Sequence, residues 1–187
     1  MKKLLILPII LLFFSCESDA EVSDKTPENR PFSEFITDFS NSIISLDEIL
    51  SGGPPKDGIP AIDNPQFITT SDENLNIGNK EPVIVVQYSG IIKIYPVQIL
   101  TWHEIVNDNI ADLPIAVTFC PLCNTGIVFE SRIDNLNLDF GTTGRLRFSN
   151  LIMYDRQTET WWQQATGEGI AGKYTNRSLK FIPSLFM

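Results

Sequence analysis

The chain has 187 residues, a formal net charge of -9 and a hydrophobic fraction of 43%. That length and hydrophobicity suit one domain with a real core. The acidic balance excludes the basic face with which proteins displace counterions from nucleic acid, and it removes electrostatic docking on anionic lipid.

Lys2 and Lys3 open the chain, residues 4–14 form an apolar run, and the small Ser15 precedes Cys16. Residues 1–15 read as a secretory signal peptide, too short for a comfortable membrane span. The order Leu12-Phe13-Phe14-Ser15-Cys16 resembles a bacterial lipoprotein box, which implies cleavage before Cys16 and lipidation of that cysteine. Glu17, where an Asp would retain the protein at the inner membrane, implies sorting to the outer membrane. The expectation is a lipoprotein of the bacterial cell envelope, facing periplasm or surface, whose membrane partner is reached through the lipid anchor. Residues 16–30 are polar and read as a tether, and 31–187 as a single globular domain.

Within 31–50, Phe32, Phe35, Ile36, Phe39, Ile43, Ile44 and Leu46 recur near the helical period, which predicts an N-terminal helical segment; Ser45 and Asp47 predict a further short turn. Glycines and prolines then make 51–60 a fixed surface loop. Residues 83–88 and 91–95 are β-branched and aromatic runs joined by Ser89-Gly90, a tight hairpin. From 96 to 107, Ile99, Trp102 and Val106 return at helical spacing, which predicts a short helix with His103 on or beside its buried face. Over 113–120 the alternation of a strand puts Ile115, Val117 and Phe119 on one face and Ala116, Thr118 and Cys120 on the other. Further strands are predicted at 126–130, 136–140, 145–148, 151–154 and 160–164. Gly141-Thr142-Thr143-Gly144-Arg145 lacks a P-loop lysine and reads as a hairpin turn. Alternation at Trp161-Trp162 places one ring in the core and the other outside. The fold class is α+β and β-rich: a mainly antiparallel sheet with a short helix near 96–107 and the N-terminal helical segment.

With Cys16 assigned to lipid, Cys120 and Cys123 stand alone in an oxidising compartment, and the chain has one histidine, His103. Three chemistries suit this set. Two thiolates and an imidazole make a three-ligand site for zinc or copper, with Met153, Glu104, Asp155 or water in the fourth position. Met153 suits only a cuprous ion, and its neighbours Leu151, Ile152 and Tyr154 suit plain core packing. Alternatively, Cys-Pro-Leu-Cys after a hydrophobic strand is a thiol–disulfide redox pair without metal. A thioredoxin fold is disfavoured as its scaffold, because 124–130 reads as turn and strand where that fold needs a helix, while thiol chemistry on another scaffold survives. The third reading is a structural or interaction lipoprotein in which a Cys120–Cys123 disulfide staples a turn. Asn150, Asp155 and Arg156 form either a polar wall or a hydrogen-bonded turn. Neither a catalytic residue nor a substrate follows from these patterns.

Four separated segments support a resemblance: Asp57-Gly58-Ile59-Pro60-Ala61-Ile62-Asp63-Asn64-Pro65, Trp102-His103-Glu104-Ile105-Val106-Asn107-Asp108, Phe119-Cys120-Pro121-Leu122-Cys123, and Ser149-Asn150-Leu151-Ile152-Met153-Tyr154-Asp155-Arg156. In this order they resemble the bacterial family catalogued as domain of unknown function 3179. The resemblance implies an exported protein without a settled activity. It also implies a further C-terminal portion beyond Met187, and it favours a functional His103 over a core histidine.

Overall fold

A computed structural model of the chain describes residues 32–187. The expected signal peptide, the lipidation site Cys16 and the tether lie outside the described residues. Glu34–Met187 is one compact unit, and it is β-rich, with mainly antiparallel sheets and a single short helix.

The central sheet is built on Leu113–Cys120 (β6), whose eight residues are all buried. Such a strand reads as a near-continuous apolar run because both of its faces are covered. It pairs antiparallel with Ile105–Ile110 (β5) and Thr125–Glu130 (β7); Ile62–Asp63 (β2) adds a parallel edge beside β5, and Lys180–Phe181 (β14) lies beside β7. The alternation read from the sequence holds: Ile115, Val117 and Phe119 enter one core cluster, Ala116 and Cys120 the other.

On the first face lie Val83–Tyr88 (β3), Ile91–Pro96 (β4) and Ser184–Phe186 (β15), a three-stranded sheet in the order β15-β3-β4, together with the helix Val97–His103 (α1). Ile84, Val86, Val97 and Leu100 pack there on Val106, Val117 and Phe119. Gly126 allows this approach, since a Cβ on it would stand 2.7 Å from Ile84 Cδ1. Fully burying a side chain such as Ile84 or Leu100 stabilises by about 1.5–3 kcal/mol. The predicted hairpin is present, with Ser89 and Gly90 at φ 50° and 79°.

The second face carries a five-stranded sheet of Ile49–Ser51 (β1), Phe140–Arg147 (β10), Asn150–Asp155 (β11), Trp161–Gln163 (β12) and Glu168–Ala171 (β13), in that order. Phe140, Leu151, Met153 and Trp162 pack from it against Ile105, Ala116, Cys120 and Phe129. Arg132–Ile133 (β8) and Leu136–Asn137 (β9) form a separate small hairpin.

Several expectations change. The helix ends at His103, because Ile105 onward joins the central sheet; Val106 is a strand residue and Trp102 is 78% exposed. Residues 32–45 form turns and extended chain, and only Leu46–Glu48 is helical, as one 3-10 turn capped by Ser45. The apolar residues of that segment serve a different purpose: Phe35 and Phe39 set ring edges against Trp161, 4.9 Å between centroids in each case. Trp161 and Trp162 are therefore both buried, one under this segment and one in the core. Finally, residues 141–145 lie inside β10 and form no hairpin turn; the register shifts between Thr142 and Arg145. Gly144, at φ 68°, makes that bulge possible and lets the 51–58 loop cross the strand, with Pro54 O only 2.0 Å from where its Cβ would be.

Candidate thiol site

β6 ends at Cys120, and a turn brings the chain back into β7 at Thr125 with Cys123 on its outer side. Beside it lies the Phe148-Ser149 turn between β10 and β11, both residues in the left-handed region at φ 52° and 60°. Cys120 is buried and Cys123 exposed, and no disulfide joins them. The Cys120 thiol donates to the Ser149 carbonyl at 3.8 Å, and Cys123 Sγ lies 4.0 Å from the Cys120 carbonyl.

The sulfur of Cys123 stands at the end of a hydrogen-bond chain whose direction is set by backbone groups. Ala165 N–H can only donate, and it donates to Asn150 Oδ1 at 2.9 Å, which turns the Asn150 Nδ2 group toward Cys123 Sγ at 3.2 Å. The Thr125 carbonyl can only accept, and it takes Gln164 Nε2 at 3.2 Å, so Gln164 Oε1 is left to accept the other Asn150 N–H at 2.7 Å. Gln164 Nε2 also reaches Thr118 Oγ1 at 3.0 Å, and that hydroxyl donates to Ile127 O. Gln163 Nε2 gives Asn150 Oδ1 a second bond at 2.5 Å. Thr125 Oγ1 lies 2.7 Å from Cys123 Sγ. Asn150 Nδ2 is thus the fixed donor at the sulfur, while the Thr125 hydroxyl, which also reaches Gln164 Oε1 at 3.5 Å, can donate to Cys123 or accept from it.

The two thiols are driven apart by this setting. Burial pushes Cys120 up, and the neighbouring Cys123 side chain pushes it further. Partial burial also pushes Cys123 up, but bonds from Cys120, Thr125 and Asn150 outweigh it, so its net shift is downward. A charged acceptor gains most from such donors. The site therefore offers an exposed thiol that ionises more readily than usual and a buried thiol behind it that ionises less readily.

His103 is not drawn into this set. Its Nδ1 is 2.8 Å from the Pro60 carbonyl, which fixes that nitrogen as the donor and leaves Nε2 with the lone pair. Among the described residues no three His, Cys, Asp or Glu side chains are grouped to hold a metal ion. Glu104 caps α1 at φ 58°, bonded through its backbone to Leu100 and Phe119. Its half-buried carboxyl has no hydrogen bond to a described residue, and burial pushes it up to about 7. Met153 is fully buried in the core. Asp155 is also fully buried and accepts from Trp162 Nε1 at 2.9 Å and from Thr158 N at 2.6 Å, so it ties a turn. Arg156 pairs with Asp63 at 2.7 Å, and Tyr154 donates to Asp57.

Of the expected polar wall, then, only Asn150 belongs to the thiol site. Thr118, Thr125 and Gln164 were not expected there. They come from strands distant in sequence, and only the run of polar residues at Gln163-Gln164 after two tryptophans signalled them. A separate apolar cavity of about 620 Å³, walled by Phe67, Tyr95, Ile99 and Leu100, lies by β4 and α1.

A family model described as "Protein of unknown function (DUF3179)" matches residues 56–187. Neither the curated proteins nor the solved structures contain a match.

Proposed function

The chain belongs to the DUF3179 family of proteins of unknown function, and we propose that it is a thiol–disulfide exchange protein, carried as an exported lipoprotein of the bacterial envelope through Cys16. The observation that carries this reading is the Asn150 amide donor fixed on the exposed Cys123, with the buried Cys120 thiol three residues behind it.

In the exchange, the Cys123 thiolate attacks one sulfur of a substrate disulfide, a mixed disulfide forms, and the other substrate sulfur leaves as thiolate. Cys120 then loses its proton and attacks the Cys123 sulfur, releasing the second substrate thiolate and closing Cys120–Cys123. Two electrons pass from the protein to the substrate, and a partner dithiol returns them in the reverse exchange. Leu122 and Phe148, 66% and 72% exposed on the two adjoining turns, offer an apolar seat for a partner chain.

Reaction of the reduced protein with dithionitrobenzoate tests this. The expected result is release of two thionitrobenzoate anions per chain with closure of the Cys120–Cys123 disulfide. Cys120→Ser should instead trap a mixed disulfide at Cys123, and Cys123→Ser should leave the buried Cys120 slow. A pair that never closes overturns the proposal.

Zinc or copper held by His103, Cys120 and Cys123 is the second reading, favoured by the two reduced thiols and the free Nε2 of His103. It requires His103 to approach the cysteines. Stoichiometric zinc in protein purified under reducing conditions, lost in His103→Ala, would establish it over thiol exchange.

A further inference from the structure

A second cleft, of about 340 Å³, opens on the opposite edge of the core from residues the thiol chemistry does not use. Three of the four sequence segments that mark the family contribute to its walls: Asp63 and Asn64, Asn107 and Asp108, and Arg156. Its volume is within the range of small-molecule sites, roughly 300–1,000 Å³.

The cleft's charges are largely matched internally. Asp63 takes Arg156 Nη1 at 2.7 Å and Asn107 Nδ2 at 2.8 Å. Asp108 takes Lys93 Nζ at 2.7 Å, Tyr95 OH at 2.8 Å and Asn109 N at 2.7 Å. Asn107 is further locked by the backbone of Phe140, which accepts from its Nδ2 and donates to its Oδ1. These groups make a rigid wall with no spare charge for an ion.

What is left open is hydrogen-bonding capacity. Ser131 lines the cleft at 3% exposure, and its hydroxyl has no partner among the described residues. Its oxygen is not sealed off from solvent, so a ligand in the cleft can reach it. The exposed side-chain amides of Asn64 and Asn109 make no hydrogen bond to a described residue, and exposed Asp139 uses only Oδ2, toward Gln157 Nε2 at 2.9 Å. An anion would meet three carboxylates and an arginine already engaged. A cation would find just Asp139 without a positive neighbour. A hydroxyl, which both donates and accepts, satisfies every open group.

We infer that this cleft binds a neutral, hydroxyl-rich ligand of the saccharide class, with the Ser131 hydroxyl, the Asn64 and Asn109 amides and Asp139 as its contacts. The inference is independent of the thiol reading.

Backbone-amide NMR of the reduced protein, titrated with glucose, N-acetylglucosamine, maltose and chitobiose, tests it. At least one sugar should shift the Asn64, Asn109 and Ser131 amides with Kd in the millimolar range or tighter, about 1 mM. Ser131→Ala should weaken that binding by about tenfold. Asp139→Ala, at an exposed position that should not disturb folding, should weaken it similarly. Absence of binding by all four sugars, shifts unaffected by both substitutions, or tighter binding of sulfate or betaine would overturn the inference.

Discussion

The two faces of the central sheet are made by the same strand and do opposite things. Toward β3, β4 and α1, β6 presents Ile115, Val117 and Phe119 to an apolar layer. Toward β10–β12 it presents Ala116, Thr118 and Cys120, and there the packing of Phe140, Met153 and Trp162 gives way at the strand's end to hydrogen-bonded amides, a hydroxyl and two thiols. Apolar burial is non-directional, so the first face tolerates changes that conserve volume. A buried polar network has directions, and one reversed donor disturbs every partner. Stability should therefore be concentrated on the first face and chemistry on the second.

The largest expected effect breaks the first face alone. Ile84→Ala removes a fully buried side chain and should cost about 3 kcal/mol of unfolding free energy by denaturant titration. The alkylation pH profile of Cys123 should not move. Next comes the junction between the faces. Glu104 is raised from 4.5 to about 7 by burial, so its contribution is full below pH 4.5 and is lost as pH rises through about 7. Glu104→Gln should remove that loss, leaving the variant about 2 kcal/mol more stable than the parent at pH 8, with the partly exposed carboxyl discounted for solvent screening, and nearly equal to it at pH 4. Stability curves at the two pH values check this.

A change on the second face should move chemistry more than stability. Asn150→Asp keeps an acceptor for Ala165 N–H but puts a carboxylate where Nδ2 faced Cys123, so alkylation of Cys123 at pH 7 should slow by about tenfold. The smallest effect is at Trp102, which is mostly exposed: Trp102→Ala should shift the unfolding midpoint by less than about 0.5 kcal/mol and leave both faces as they are.

The alternation of 113–120 was legible because a strand's two-residue period needs no knowledge of its neighbours. The same pattern misled at 96–107: Ile99, Trp102 and Val106 have helical spacing, yet Trp102 faces solvent and Val106 pairs with Val117 in a strand. Trp161 escaped because its outer face is covered by Phe35 and Phe39, more than 120 residues earlier. At the site, Cys120 and Cys123 were visible as a local motif. Their partners were not, since Asn150 reaches the sulfur, and Gln164 holds Asn150, only through the packing of two sheets. A grouping of His103 with the cysteines was equally a long-range guess, and the imidazole instead meets the Pro60 carbonyl.

The central claim is that the Asn150 amide and its neighbours on the second face lower the Cys123 thiol below its ordinary value. The most direct measurement is the rate of iodoacetamide alkylation at each cysteine against pH, resolved by mass spectrometry, for the folded and the urea-unfolded chain. The account predicts that Cys123 in the folded chain reacts first, with a midpoint below the unfolded thiol value of about 8.5, that Cys120 titrates above it, and that Asn150→Ala raises the Cys123 midpoint. A folded Cys123 midpoint at or above the unfolded one, or Cys120 reacting first, would contradict it.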